Sequence, residues 1–407
     1  MINNINEINC IKKNSLYYNN EDKKQSIKKN YIDRLYNYNY VCTVFRTNEF
    51  TIKLLMSKHN NNDKILLKEF KKEFINQNSK YSNNNKIEIY KNEVELLFNL
   101  KGFDLIPCIK FPYHNKYNLC IAYTNYSNFL ISFDDFYYLD KDLNNEIVKF
   151  YLANFIHLFE HLLSKSILYR GFSYKDIFIR KNGYILCNNI DKCLRIDNTK
   201  KNMCYTLINP PEYLAPEMLN YTGYDYRSNY FLIGIILYEL IHGYNPFVDK
   251  DPILTYKNIL GCKYKNINAD RSSTILIKSL LVKDTSLRLG CGKNGINDIT
   301  YNKYFLNFNW SEFSKRTMIC PIDVYEIQNK ILSNIKGCNY AEEYYSKYYN
   351  NSPNMKNILK LKDNKSKDNN YNDILGVLDE DDYVNGYNNN DNIFKLMDYF
   401  DSRYKYV

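Results

Sequence analysis

The chain has 407 residues, enough for two lobes and a tail. Its 55 Lys and Arg against 45 Asp and Glu leave a net charge of +10, but the basic residues are scattered among Asn and Tyr, so no nucleic-acid surface is expected. The 11 cysteines include no C-x-x-C pair, which argues against a disulfide framework or a zinc cluster and for an intracellular, cytoplasmic setting.

Residues 1–30 are polar and rich in Asn and Lys, and they read as an extension. The opening MINNINEINC has neither an apolar h-region nor a Met-Gly start, so secretion and myristoylation are not expected. Cys10, beside Lys12 and Lys13, reads as an idle surface cysteine. Val41–Phe45 and Glu49–Leu55 are rich in β-branched and aromatic residues and predict short strands. Ile65–Phe74 and Val94–Leu100 carry helical spacing. From Asn145 to Ser166 apolar residues at Phe150, Phe155, Leu158, Phe159 and Leu162 predict a long helix. Its His157 and His161 stand at i, i+4, but nothing completes a metal site, so they read as helix-surface histidines. The run Phe231–Ile241 is too short to span a membrane and reads as a buried helix closed by the turn Gly243-Tyr-Asn-Pro-Phe247.

Just before that helix lies the literal run PEYLAPEML, containing the A-P-E tripeptide Ala215-Pro216-Glu217. Together they resemble the substrate-side loop and central helix of a protein kinase large lobe. The match is closest to the AGC group, and within it to the cyclic-AMP-dependent kinases. The resemblance implies an α+β, bilobal fold: a small β-rich lobe over 31–123, a larger helical lobe over 124–310, and an AGC-like tail over 311–407 with a low-complexity insert. Leu119–Asn125 then corresponds to the strand and hinge between lobes. Glu380-Asp-Asp-Tyr383 is similar to a tail element, and Phe394–Phe400 to its hydrophobic anchor.

On the same footing, Phe50-Thr-Ile-Lys53 matches the V-A-I-K strand, with Lys53 on the nucleotide's phosphates, Glu93 as its carboxylate partner, and Thr51 and Phe178 crowding the base. The glycine-rich phosphate loop is replaced by Leu35-Tyr-Asn-Tyr-Asn-Tyr-Val41, and the first glycine of the chain is Gly102. Where the family reads Y-R-D-L-K-P-E-N, this chain reads Tyr169-Arg-Gly-Phe-Ser-Tyr-Lys-Asp176. Gly171 therefore stands at the proton-accepting aspartate, Ser173 at the lysine, and Asp176 at the metal-binding asparagine. Asn189-Ile190-Asp191 stands at D-F-G, leaving Asp176, Asn189 and Asp191 as metal candidates.

Other carried-over positions are architectural or regulatory. Glu217 is expected to pair with Arg288, and Asn229 replaces the aspartate that opens the central helix. Thr206 aligns with an activation-loop phosphothreonine and Arg170 with the arginine that grips it. Lys175 replaces a glutamate that reads basic substrate residues, while Glu239 keeps a second. Tyr205 and Tyr256 lie where a regulatory subunit docks. These losses imply a degenerate, pseudokinase-like chain serving a protein partner, with no confident cofactor. The alternative is a divergent serine/threonine kinase using ATP and Mg²⁺.

Overall fold

In a computed structural model, residues 35–46, 50–60, 63–71, 83–114, 118–124, 129–139, 143–196, 203–327 and 330 are described. The expected extension 1–30, the tail element Glu380–Tyr383 and the anchor Phe394–Phe400 lie outside them.

The first part of the chain builds a five-stranded antiparallel sheet from β1 (Tyr38–Arg46), β2 (Phe50–Ser57), β3 (Lys64–Lys71), β4 (Cys108–His114) and β5 (Asn118–Thr124). Their spatial order is β1-β2-β3-β5-β4. Helix α1 (Asn83–Asn99) enters between β3 and β4 and is bound to the sheet through the Tyr90 hydroxyl, which donates to the Cys120 carbonyl at 3.0 Å. β3 corrects the helix expected over Ile65–Phe74. Ile65, Leu66 and Leu67 are all buried because this central strand is covered on both faces. Such a strand shows a continuous apolar run that cannot be told from a buried helix by period alone.

The phosphate-loop assignment moves as well. Residues 36–41 run from a short turn into β1, so the β1–β2 connection is residues 47–49, outside the described residues.

The second part is helical around α3 (Asn145–Ser164) and α5 (Arg227–His242), with α2 (Phe133–Leu139), the short α4 (Pro216–Leu219), α6 (Pro252–Leu260), α7 (Arg271–Leu280), α8 (Asn297–Thr300) and α9 (Trp310–Ser314). α3 starts where the Asn144 side chain accepts from the backbone N–H groups of Glu146 and Ile147, satisfying two otherwise orphaned donors. α5 is buried on nearly every side, which explains its near-uniform apolar sequence. It ends at Gly243, whose φ of +71° is the left-handed conformation that glycine adopts without penalty. Strand β6 (Phe129–Ser132), just before α2, forms one sheet with β8 (Ile177–Arg180) and β9 (Ile185–Cys187), which lie between α3 and α4, where β7 (Ile167–Leu168) also pairs with β10 (Leu194–Arg195).

Glu217 and Arg288 bind in the bidentate geometry, with Arg288 Nη1 and Nη2 at 2.7 and 2.9 Å from the two carboxylate oxygens. Arg288 is 1% exposed, and two further donors reach the carbonyls of Arg227 and Val282. With four of its five N–H donors directed, the pair ties α4 to the start of α5 through the Arg227 carbonyl.

A second ionic clamp was not foreseen. Asp104, between α1 and β4, accepts from Arg180 at the end of β8 and, in bidentate fashion, from Arg316 beyond α9. Burial pushes the Asp104 carboxyl up, but the Arg316 and Arg180 guanidinium groups hold it below the usual range. Phe103 stacks on His161 with ring centroids 3.6 Å apart. His157 and His161 are therefore half-buried packing residues rather than surface ones. Burial, then Arg316, pushes the His157 imidazole down to about 4.

Candidate active site

The site is built where β3, α1 and the segment after β9 converge. On a strand, successive side chains point to opposite faces, so Lys68 and Glu69 diverge. Lys68 turns toward α1, where its Nζ lies 2.8 and 3.0 Å from the two Glu93 oxygens and 3.1 Å from Asn189 Oδ1. Lys53 lies on the other face of the sheet and pairs with Glu69 at 2.8 Å. The assignment of Lys53 to Glu93 is thus corrected: β2 directs Lys53 away from α1. The V-A-I-K-like strand is Ile65-Leu-Leu-Lys68, and Thr51 moves with Lys53 into β2, opposite Glu69.

Lys68 and Glu93 are each 0% exposed. The lysine ammonium also lies 4.5 Å from the Phe50 ring centroid and 4.9 Å from that of Phe70, so the charge is enclosed by three oxygen acceptors and two aromatic faces. Burial pushes the Glu93 carboxyl up, against the lowering effect of Lys68 and hydrogen bonds from Lys68 and Tyr123. Tyr123 on β5 donates to Glu93 Oε1 at 3.1 Å.

Asn189 joins this group to the catalytic-loop segment, its Nδ2 donating to Asp176 Oδ1 at 3.4 Å. Relative to the family pattern, the amide and the carboxylate have exchanged places between these two positions. Burial, then the charge of Asp191, pushes the Asp176 carboxyl up to about 6. Asp191 is buried nearby, and its carbonyl, like that of Cys193, accepts from Asn92 of α1. A carboxylate and an amide oxygen suit a hard divalent cation. The triphosphate is a poorer fit, because the cation that would hold it is enclosed by Phe50 and Phe70. Among the described residues, no group of three or more His, Cys, Asp or Glu is arranged to hold a metal.

Gly171 differs from a simple side-chain deletion. Its φ is +72°, and a Cβ built there would lie 2.3 Å from Lys192 Cδ and 2.9 Å from Lys192 Cβ. The Lys192 side chain therefore occupies the position from which a base at residue 171 would project. The backbone N–H groups of Gly171 and Phe172 are both held by the Asn209 Oδ1, and Asn209 Nδ2 donates to the Tyr213 carbonyl. Ser173 is engaged locally, its hydroxyl accepting from the Lys175 N–H at 3.2 Å. Phe178 is partly buried on β8 opposite Leu186.

Glu239, expected to read basic substrate residues, is 3% exposed. Its oxygens accept from the Tyr174 hydroxyl at 3.0 Å and from Asn245 Nδ2 at 2.9 Å. Burial pushes its carboxyl up to about 7 despite the hydrogen bonds from Asn245, Tyr174 and Tyr213. Asn229 is buried in the first turn of α5. Tyr205 and Tyr256 are exposed, at 59% and 36%. Arg170 and Thr206 are brought close to a third residue, Cys204, which sequence reasoning passed over. Lys192, Asn209, Tyr174 and Asn245 were also missed, since nothing in their spacing distinguishes them from loop residues.

A protein kinase domain model matches residues 50–305, over half of the chain. The chain belongs to the protein kinase family, and its similarities place it with the AGC kinases. It is 34% identical over 175 residues to the cAMP-dependent protein kinase catalytic subunit PRKX of Mus musculus, covering 42% of this chain and 48% of that protein. It is 30% identical over 182 residues to the cAMP-dependent protein kinase type 3 of Saccharomyces cerevisiae, covering 44% of each. With the cAMP-dependent protein kinase catalytic subunit 3 of Drosophila melanogaster it shares 30% identity over 174 residues, 29% of that protein. The similarity thus spans less than half the length of these relatives.

Proposed function

We propose that this chain is a pseudokinase: a kinase fold that transfers no phosphate and acts as a regulatory or scaffolding partner of another protein. The observation that carries the reading is Gly171, where the Lys192 side chain lies in the space from which a base would project. Phosphoryl transfer depends on positioning and on charge placed at the phosphates. Here Lys68 is sealed by Phe50 and Phe70 and the base is absent, so an accelerating power of ~8–23 kcal/mol has no source. The exposed Tyr205 and Tyr256 support a docking role, with a regulatory subunit of the kind that binds cyclic-AMP-dependent kinases as the partner.

A second reading, a divergent serine/threonine kinase, is favoured by one observation. Lys68, Glu93 and Asn189 are assembled, and Asp176 offers a carboxylate beside Asn189. In that case Asp176 and Asn189 would hold Mg²⁺ beside the nucleotide.

Thermal-shift titration of the full chain with ATP and Mg²⁺ separates the two, since a ligand that binds only the folded state raises its melting point. The pseudokinase reading expects no shift at millimolar nucleotide. A shift followed by radiolabelled phosphate transfer that disappears in Lys68→Met overturns it. Docking is tested by mixing the chain with purified regulatory subunit, where absence of a complex removes the partner assignment.

A further inference from the structure

We propose that Cys204 is the built-in partner of Arg170, anchoring the activation segment through its sulfur so that no phosphate on Thr206 is needed. This rests on the kinase fold but not on the absence of catalysis. Arg170 precedes Gly171 in the catalytic-loop segment. Its Nε donates to the Lys192 carbonyl at 2.8 Å, and its Nη1 donates to Cys204 Sγ at 3.2 Å. The guanidinium is therefore already directed onto two acceptors.

Cys204 is held from its backbone as well. Its N–H and carbonyl both pair with Tyr224, at 2.8 and 2.9 Å, in an isolated antiparallel bridge. Only 6% of the residue is exposed, whereas Thr206, two residues on, is exposed. The Thr206 hydroxyl lies 3.7 Å from the same sulfur, and the Thr206 carbonyl accepts from the Tyr224 hydroxyl at 2.6 Å. A phosphate on Thr206 would thus have to displace a buried sulfur that is fixed on three sides.

The chemistry is consistent. A cysteine sulfur is a weak acceptor, and here it accepts from a charged guanidinium donor in a buried setting. Burial pushes the Cys204 thiol up, and hydrogen bonds from Tyr224 and the Thr206 backbone, with the Arg170 charge, bring it below its ordinary value.

The test uses the full chain treated with phosphatase, with loss of phosphate verified by mass spectrometry. We expect phosphatase treatment and Thr206→Ala to leave the melting temperature unchanged. Cys204→Ala and Arg170→Ala should each lower it by roughly 4–8 °C, and the double variant by no more than the larger single effect. Cys204→Asp, which places a carboxylate acceptor against the Arg170 guanidinium, should recover most of the loss. Additive losses in the double variant overturn the proposal, as does a phosphatase effect as large as that of Arg170→Ala, or a Cys204→Asp chain no more stable than Cys204→Ala. If Cys204→Ala does not fold, hydrogen exchange over residues 203–209 decides. Protection in the dephosphorylated wild type that is lost in Arg170→Lys supports the anchor, and equal exchange in the two removes it.

Discussion

Replacing Lys68 by Met is the sharpest test of how the small lobe is wired. The substitution removes the cation and leaves Glu93 fully buried near the Asp191 charge, its Oε1 still bound by Tyr123. The cheapest escape is for Glu93 to take up a proton. From an ordinary pKa of ~4.3, protonation at pH 7.5 costs about 4 kcal/mol, within the ~3–5 kcal/mol typical when one partner of a buried ion pair is deleted. For a folded region of this size that corresponds to a fall in melting temperature of roughly 8–16 °C. The proton is supplied more easily in acid, so at pH 5 the same substitution should cost only about 1 kcal/mol. Lys53→Met is the control. Glu69 is buried but Lys53 is 18% accessible, so solvent reaches the carboxylate once the lysine is removed and the loss at pH 7.5 should be clearly smaller than that of Lys68→Met. Urea denaturation of the three proteins at pH 7.5 and pH 5 measures both terms. A Lys53→Met loss equal to that of Lys68→Met, or a Lys68→Met loss independent of pH, would refute this account.

Three further outcomes are expected. Gly171→Asp should lower stability by about 1–2 kcal/mol, since a side chain at φ +72° is strained and displaces Lys192, and it should restore no phosphate transfer; a gain of activity would show that the loop rearranges. Glu239 has its carboxyl raised to about 7 by burial, so its protonated form favours the fold, and that contribution is lost as pH rises through about 7. Glu239→Gln should therefore gain stability relative to wild type as pH rises from about 4.5 to about 7 and level off above that in paired thermal melts, and parallel curves across that range would contradict the assignment. Asp104→Ala should lose about 1–2 kcal/mol at pH 7, a value discounted because the carboxylate is 39% exposed. As the Asp104 carboxyl is held below its usual range, that loss should be full above about pH 4 and fade on further acidification; a loss that persists at pH 2 would point to packing instead.

Much of the large lobe could be read from the chain because its signals are local and literal. PEYLAPEML, the apolar α5 and Arg288 occur in order, and bidentate pairing needs only those residue types. The small lobe was harder. Without glycines between β1 and β2 there was no punctuation to set the strand register, and Phe50-Thr-Ile-Lys53 outcompeted Ile65-Leu-Leu-Lys68 as the lysine strand. Sequence can place a lysine on a strand, but which face of the sheet it occupies depends on pairing across the sheet. Glu93 could be selected over Glu95 because helix geometry is carried within one segment. Cys204, Lys192 and Asn209 meet the catalytic-loop segment through partners 34, 21 and 38 residues away, and no local pattern announces such contacts.

The Asp104 clamp has a consequence for the order in which the molecule can be completed. Arg316 lies 212 residues downstream of the carboxylate it grips. At a synthesis rate of ~5–20 residues per second, roughly 10–40 s separate the appearance of the two groups. Arg180, 76 residues downstream, can hold the carboxylate for most of that interval, but the bidentate half of the clamp waits for Arg316. The two lobes are therefore expected to finish together, with Arg316, just beyond α9, closing a structure whose first strands were made long before.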